Sequence, residues 1–84
     1  MSIELDATRP KWRQVADILR ARIVGGTYPP GSRVPSVVAL TGEFGIAAVT
    51  AQKVMRALRE EGWIRTEAGM GSYVMDRPPR ASSK

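Results

Sequence analysis

The chain contains neither cysteine nor histidine. Without cysteine there is no disulfide framework and no thiolate metal site, and without histidine there is no imidazole ligand. The same two absences remove the general base from Ser-His-Asp and Cys-His nucleophilic catalysis. No side-chain general base titrates near neutrality, and so small a fold offers no sizeable pocket, so an enzyme is not expected. Neither a metal nor any other cofactor is expected. No apolar run approaches the roughly 18 residues of a membrane span, and the N-terminus has no signal-peptide core. The expectation is a soluble intracellular protein with no membrane partner. Aromatics are also scarce: Trp12, Tyr28, Phe44, Trp63 and Tyr73 are the full set. In a chain of 84 residues the core is thin, and all five are expected to bury substantial surface.

What is present in excess is positive charge. Lys and Arg total 13 against 8 Asp and Glu, a net +5. That balance favours a polyanionic partner, nucleic acid before an anionic membrane surface.

The apolar positions say how such a partner is met. From Lys11 to Val24 the stripe Trp12, Val15, Ala16, Leu19 and Ile23 has helical spacing, with Ile18 widening it. Arg13, Gln14, Asp17 and Arg20 fall towards the other side. Pro10 suits the first turn and Gly25-Gly26 the end. Tyr28 to Ser32 is a turn segment, with Pro30 and Gly31 at the central positions of a type II turn. Arg33-Val34 reads as a very short strand closed by Pro35. Ser36 is placed to cap a helix over residues 37–44, stopped by Gly45. Gly42 inside it costs about 1 kcal/mol relative to alanine. A second helix follows over residues 48–61, with Ala51, Val54, Met55 and Leu58 inward and Gly62 as its cap. Residues 63–67 and 72–75 are strand-like, joined by a turn over residues 68–71.

Two short helices joined by a tight glycine turn are the pattern of a helix-turn-helix, whose second helix enters the DNA major groove. With the first helix and the hairpin the fold class is mainly α with a small β-hairpin, a winged helix-turn-helix of three helices plus wing. Residues 1–10 read as an N-terminal arm, 11–76 as the winged domain and 77–84 as a basic disordered tail.

Three blocks in this order then carry a resemblance: residues 28–36 (Tyr-Pro-Pro-Gly-Ser-Arg-Val-Pro-Ser), Phe44-Gly45-Ile46, and residues 58–64 (Leu-Arg-Glu-Glu-Gly-Trp-Ile) leading to residues 69–74 (Gly-Met-Gly-Ser-Tyr-Val). Over Lys11 to Val74 the chain resembles the DNA-binding domain of the GntR family of bacterial transcription regulators. The resemblance implies a winged helix that binds operator DNA as a dimer, usually to repress. Family members usually carry Pro-Ser-Glu-Arg where Pro35-Ser36-Val37-Val38 stands. They open the recognition helix with Ser-Arg-Thr-Thr and an Arg two positions on, where this chain has Ala47, Ala48, Val49, Thr50 and Gln52. A basic wing residue is replaced by Met70. Arg33, Ser36, Thr50, Gly69 and Gly71 match the usual functional chemistry. Most members continue into a C-terminal effector-binding and dimerising domain. The expectation here is that no small-molecule effector site lies within the chain, and that a homodimer would form through the winged helix or its arms.

The outward face of the second helix carries Ala48, Val49, Gln52, Lys53, Arg56 and Arg59. Gln52 suits a bidentate contact with adenine N6 and N7, and Ala48 or Val49 a thymine methyl. Lys53, Arg56 and Arg59 suit phosphates, which add affinity without sequence information. Arg33 suits a phosphate beside the groove, Ser36 a phosphate or its own helix cap, and Thr50 a phosphate at the helix N-terminus. Gly69 and Gly71 are turn formers, with Met70 exposed at the wing tip. Arg77, Arg80 and Lys84 suit a backbone-following tail. The leading expectation is a sequence-specific, nucleoid-associated cytoplasmic regulator of double-stranded DNA, with helix 48–61 in the major groove and wing 63–75 at the flanking groove. The alternatives are a protein-interaction module using an apolar patch around Val37, Val38, Ala47, Ala48 and Val49, and a sequence-indifferent architectural DNA binder.

Overall fold

A computed structural model describes residues 5–67 and 69–76. Its elements in order are α1 (Lys11–Val24), α2 (Val37–Phe44), α3 (Ala48–Glu60), β1 (Ile64–Glu67) and β2 (Gly71–Val74). The helices and the hairpin form the expected winged helix-turn-helix. The expected tail, with Arg77, Arg80 and Lys84, lies outside the described residues.

Each helix is bounded by local chemistry. The Ser36 hydroxyl accepts a hydrogen bond from the Ala39 N–H at 3.1 Å, one of the four donors a helix start leaves free. Gly45 ends α2 at φ 66°, a left-handed conformation that a side chain resists. The three residues 45–47 turn the chain through 116° between the α2 and α3 axes, within the range typical of helix-turn-helix units. α3 ends at Glu60, one residue before the sequence expectation, because Glu61 is its C-cap. Gly62 follows at φ 86°. The Gly62 N–H reaches the Arg59 carbonyl at 3.1 Å and the Trp63 N–H the Leu58 carbonyl at 2.9 Å, the paired bonds of a Schellman motif. The turn at Pro30-Gly31 closes as expected, with the Ser32 N–H donating to the Pro29 carbonyl at 3.0 Å.

β1 and β2 pair antiparallel in the register Ile64–Val74, Arg65–Tyr73, Thr66–Ser72 and Glu67–Gly71. The Met75 N–H adds a bond to the Trp63 carbonyl at 2.9 Å. The very short strand expected at Arg33-Val34 is a single bridge, Arg33 opposite Tyr73. Two further bonds support it: Val34 N–H to the Ser72 carbonyl at 3.0 Å and Val74 N–H to the Ser32 carbonyl at 2.8 Å. The segment leading into α2 is therefore tied to the wing by its backbone.

Val15, Ala16 and Leu19 of α1, Leu40 and Phe44 of α2, and Ala51, Val54 and Leu58 of α3 meet in one core closed by Trp63, Ile64 and Val74. Only Phe44 and Trp63 of the five aromatics are buried; Trp12, Tyr28 and Tyr73 are half-buried. Gln14 departs from its expected solvent side and is buried. Its amide accepts from the Asp6 N–H at 2.7 Å and donates to the carbonyls of Asp6 at 2.7 Å and Arg9 at 3.1 Å. A buried amide with its hydrogen bonds made costs little, and here it docks the segment before α1. Asp6 accepts from the Thr8 hydroxyl and N–H, which hold its carboxyl below the usual range.

A second polar cluster joins α1 to the end of α3. Arg20 makes two parallel bonds to the Glu61 carboxylate, at 2.9 and 2.8 Å, and a third to Asp17 at 2.6 Å. The Trp63 indole N–H also donates to Glu61, at 3.0 Å. Hydrogen bonding from Arg20 holds the Glu61 carboxyl below its usual range despite partial burial. No single helix among the described residues is long and apolar enough to cross a membrane.

Candidate nucleic-acid interface

With Ala51, Val54, Met55 and Leu58 turned into the core, α3 leaves Ala48, Val49, Gln52, Lys53, Arg56 and Arg59 exposed, as the helical period requires. Glu60 shares the exposed C-terminal end. Ala47 supplies no side-chain cap, so the first-turn N–H groups, with half-buried Thr50 among them, keep the positive end of the helix dipole available.

The sequence-derived residues separate into four places. Ser36, Gln52, Arg56 and Gly71 line one open groove of about 440 Å³ between the start of α2, α3 and the wing. Arg59, Thr66 and Ser72 complete its polar lining, with Val37 and Met55 below. Ala48, Val49 and Thr50 form the N-terminal end of α3, and Lys53 lies on the flank facing α1, where its ammonium stands 4.9 Å from the centroid of the Trp12 ring. That cation–π contact fixes where the charge rests without removing it from solvent. Arg13 stands over the same ring at 5.6 Å. Gly69 and Met70 form the wing tip, with Met70 61% exposed.

Gly71 has a role beyond the turn. A Cβ at this position would lie 2.8 Å from Arg33 Nε and 2.9 Å from Nη2, so the guanidinium occupies the space a side chain would fill. The wing thereby seats Arg33 at the mouth of the helix-turn-helix. Thr66 and Ser72 contribute paired hydroxyls 3.1 Å apart, and Arg59 reaches Thr66 at 3.4 Å. The sequence did not single out Thr66, Ser72 or Arg65. Strand alternation places Thr66 and Ser72 on one face, but their proximity to α3 depends on how the hairpin folds back.

Among the described residues, ion pairs engage Arg9, Arg20, Arg22 and Arg65. Arg22 pairs with Glu43 at 2.6 Å, which together with the Tyr28 hydroxyl raises its already high pKa. Arg65 is neutralised by Glu67 and lies over the Tyr73 ring. Arg33, Lys53, Arg56 and Arg59 enter none of these pairs. Lys11 and Arg13 on α1 also enter none of these pairs, so among the described residues the unpaired cations lie on α1, on α3 and at Arg33 before α2.

Residues 11–74 match the family described as bacterial regulatory proteins, gntR family. The chain is 37% identical over 68 residues to the mannosyl-D-glycerate transport/metabolism system repressor MngR of Escherichia coli (strain K12), covering 81% of this chain and 28% of that protein. It is 29% identical over 70 residues to the histidine utilization repressor of Klebsiella aerogenes, covering 83% of this chain and 29% of the relative. The chain thus spans less than a third of the length of these curated relatives. Among solved structures, a GntR family transcriptional regulator from Listeria monocytogenes is similar with a TM-score of 0.84 and 29% identity, over 87% of this chain and 64% of that one. AraR(DBD) in complex with operator ORX1 is similar with a TM-score of 0.76 and 25% identity, over 88% of this chain and 90% of that one.

Proposed function

The chain belongs to the GntR family of bacterial regulatory proteins, and from that premise we propose that it is a sequence-specific DNA-binding regulator that represses by occupying its operator. The observation that carries this reading is an exposed glutamine, Gln52, sharing one groove with Arg56 and Arg59, with Arg33 seated on Gly71 beside it and Lys53 on the opposite flank of α3, none of these cations ion-paired among the described residues. The relatives named as repressors, and the operator complex of AraR(DBD), support it.

In this reading α3 enters the major groove by its N-terminal half. Gln52 makes paired hydrogen bonds to adenine N6 and N7, and Ala48 and Val49 lie against neighbouring bases. Arg56 and Arg59 hold the phosphate strand along the groove between α3 and the wing, and Lys53 holds the strand on the Trp12 side. Arg33, seated on Gly71, and the N–H groups beside Ser36 and Thr50 meet phosphates at the groove edge. Ser36 serves chiefly as the α2 cap. Gly69 and Met70 bring the wing tip to the flanking groove. Two copies would occupy paired half-sites on the chromosome, in the cytoplasm, and an inverted repeat among selected sequences would support that arrangement.

The division of labour is tested by two variants. Gln52→Ala should relax discrimination at one base position by about 1–3 kcal/mol, and Lys53→Ala should weaken all sequences alike and make the salt slope shallower by about one. Competition binding against single-base operator variants reads both. Equal effects of the two substitutions on every sequence would remove the assigned roles.

A further inference from the structure

Three side chains on the exposed N-terminal half of α3 form one cluster by helix geometry. Gln52 lies four residues after Ala48 and three after Val49, the two spacings that place side chains side by side. All three are exposed, Val49 at 71%. The amide donates and accepts; the two side chains beside it do neither. A single exposed valine is ordinary. An apolar pair against the hydrogen-bonding reader, on a helix whose arginines enter no ion pair among the described residues, specifies a chemistry.

We propose that Ala48 and Val49 read the C5-methyl group of pyrimidines, so that the protein distinguishes thymine from uracil and 5-methylcytosine from cytosine. The inference rests on the DNA-binding reading and deepens it. In the major groove a thymine presents O4 and the methyl, and a cytosine presents its N4 amino group. Covering an amino group with a valine strips it of water and returns no hydrogen bond, which is unfavourable. Covering a methyl removes apolar surface from water at no such cost. The methyl occupies the same place on thymine and on 5-methylcytosine, so it adds the same apolar contact to a cytosine, although the N4 amino group remains. Arg33, Arg56 and Arg59 supply backbone attraction whichever pyrimidine is present, so the methyl adds discrimination to a complex that forms without it.

The test uses the whole chain and a duplex selected by the protein itself, with each thymine replaced singly by uracil. Replacement at the position read by Val49 should weaken binding about fourfold, the effect of one buried methyl. Replacements in the flanks should change nothing. At the same position a 5-methylcytosine·guanine pair should bind more tightly than cytosine·guanine by a similar factor. Val49→Ala, exposed and favourable to the helix, should bring both ratios towards one and leave the Gln52 preference intact. If no uracil replacement matters while sequence preference persists, the methyl inference is overturned and the regulator reading stands. If no sequence is preferred at all, both are overturned.

Discussion

Replacing Leu58 by alanine should lower stability by about 2–5 kcal/mol, because the removed methyl groups leave a cavity that a packed interior closes only in part. Leu58 is fully buried, on the face of α3 that packs against α1, α2 and β1. Its carbonyl also anchors the Schellman bond from Trp63 at 2.9 Å, so movement there reaches the root of the wing. In a domain this small the total stability is only a few times that loss, and the melting temperature should fall by at least about 10 °C. Arg56→Ala is the control: on the same helix but exposed, it should change stability by no more than about 0.5 kcal/mol. Thermal unfolding followed by far-ultraviolet circular dichroism compares them. Similar melting temperatures for the two variants would mean that α3 does not have the inward and outward faces assigned to it.

Raising the salt concentration from about 50 to about 200 mM should weaken DNA binding by roughly two orders of magnitude per bound chain. Arg33, Lys53, Arg56 and Arg59 each neutralise a phosphate in the proposed complex and release its counterion, for a slope of about −3.6 in log affinity against log salt. Arg56→Ala should make that slope shallower by about 0.9. Arg20→Ala should leave it unchanged, because Arg20 is engaged by Asp17 and Glu61. Fluorescence anisotropy over a salt series gives each slope. A flat wild-type response, or equal changes from Arg56→Ala and Arg20→Ala, would contradict the phosphate roles assigned to Arg33, Lys53, Arg56 and Arg59.

Much of this architecture was legible in the sequence because it is encoded locally. Ser36 and Gly45 mark the two ends of α2 by the backbone chemistry each permits, and the spacing of Ala51, Val54, Met55 and Leu58 determines which face of α3 is left outside. What escaped was set by contacts between distant segments. Gln14 looks like a solvent residue on a helical wheel, yet its partners are backbone groups of Asp6 and Arg9, which no periodicity announces. Lys53 meets Trp12, and Arg20 meets Glu61, across the α1–α3 interface. The seat of Arg33 on Gly71 depends on a single bridge between the segment before α2 and the wing. The end of α3 moved by one residue because Glu61 takes the cap position itself. The exposed positions were predictable, but which of them share a groove was not.

The most direct measurement is selection from a random duplex library by the whole chain at moderate salt, with the recovered DNA sequenced. One half-site motif containing an adenine·thymine pair should be enriched, with the preference lost at a single position in Gln52→Ala. Recovery of unselected sequence, or of no DNA, would contradict the regulator reading.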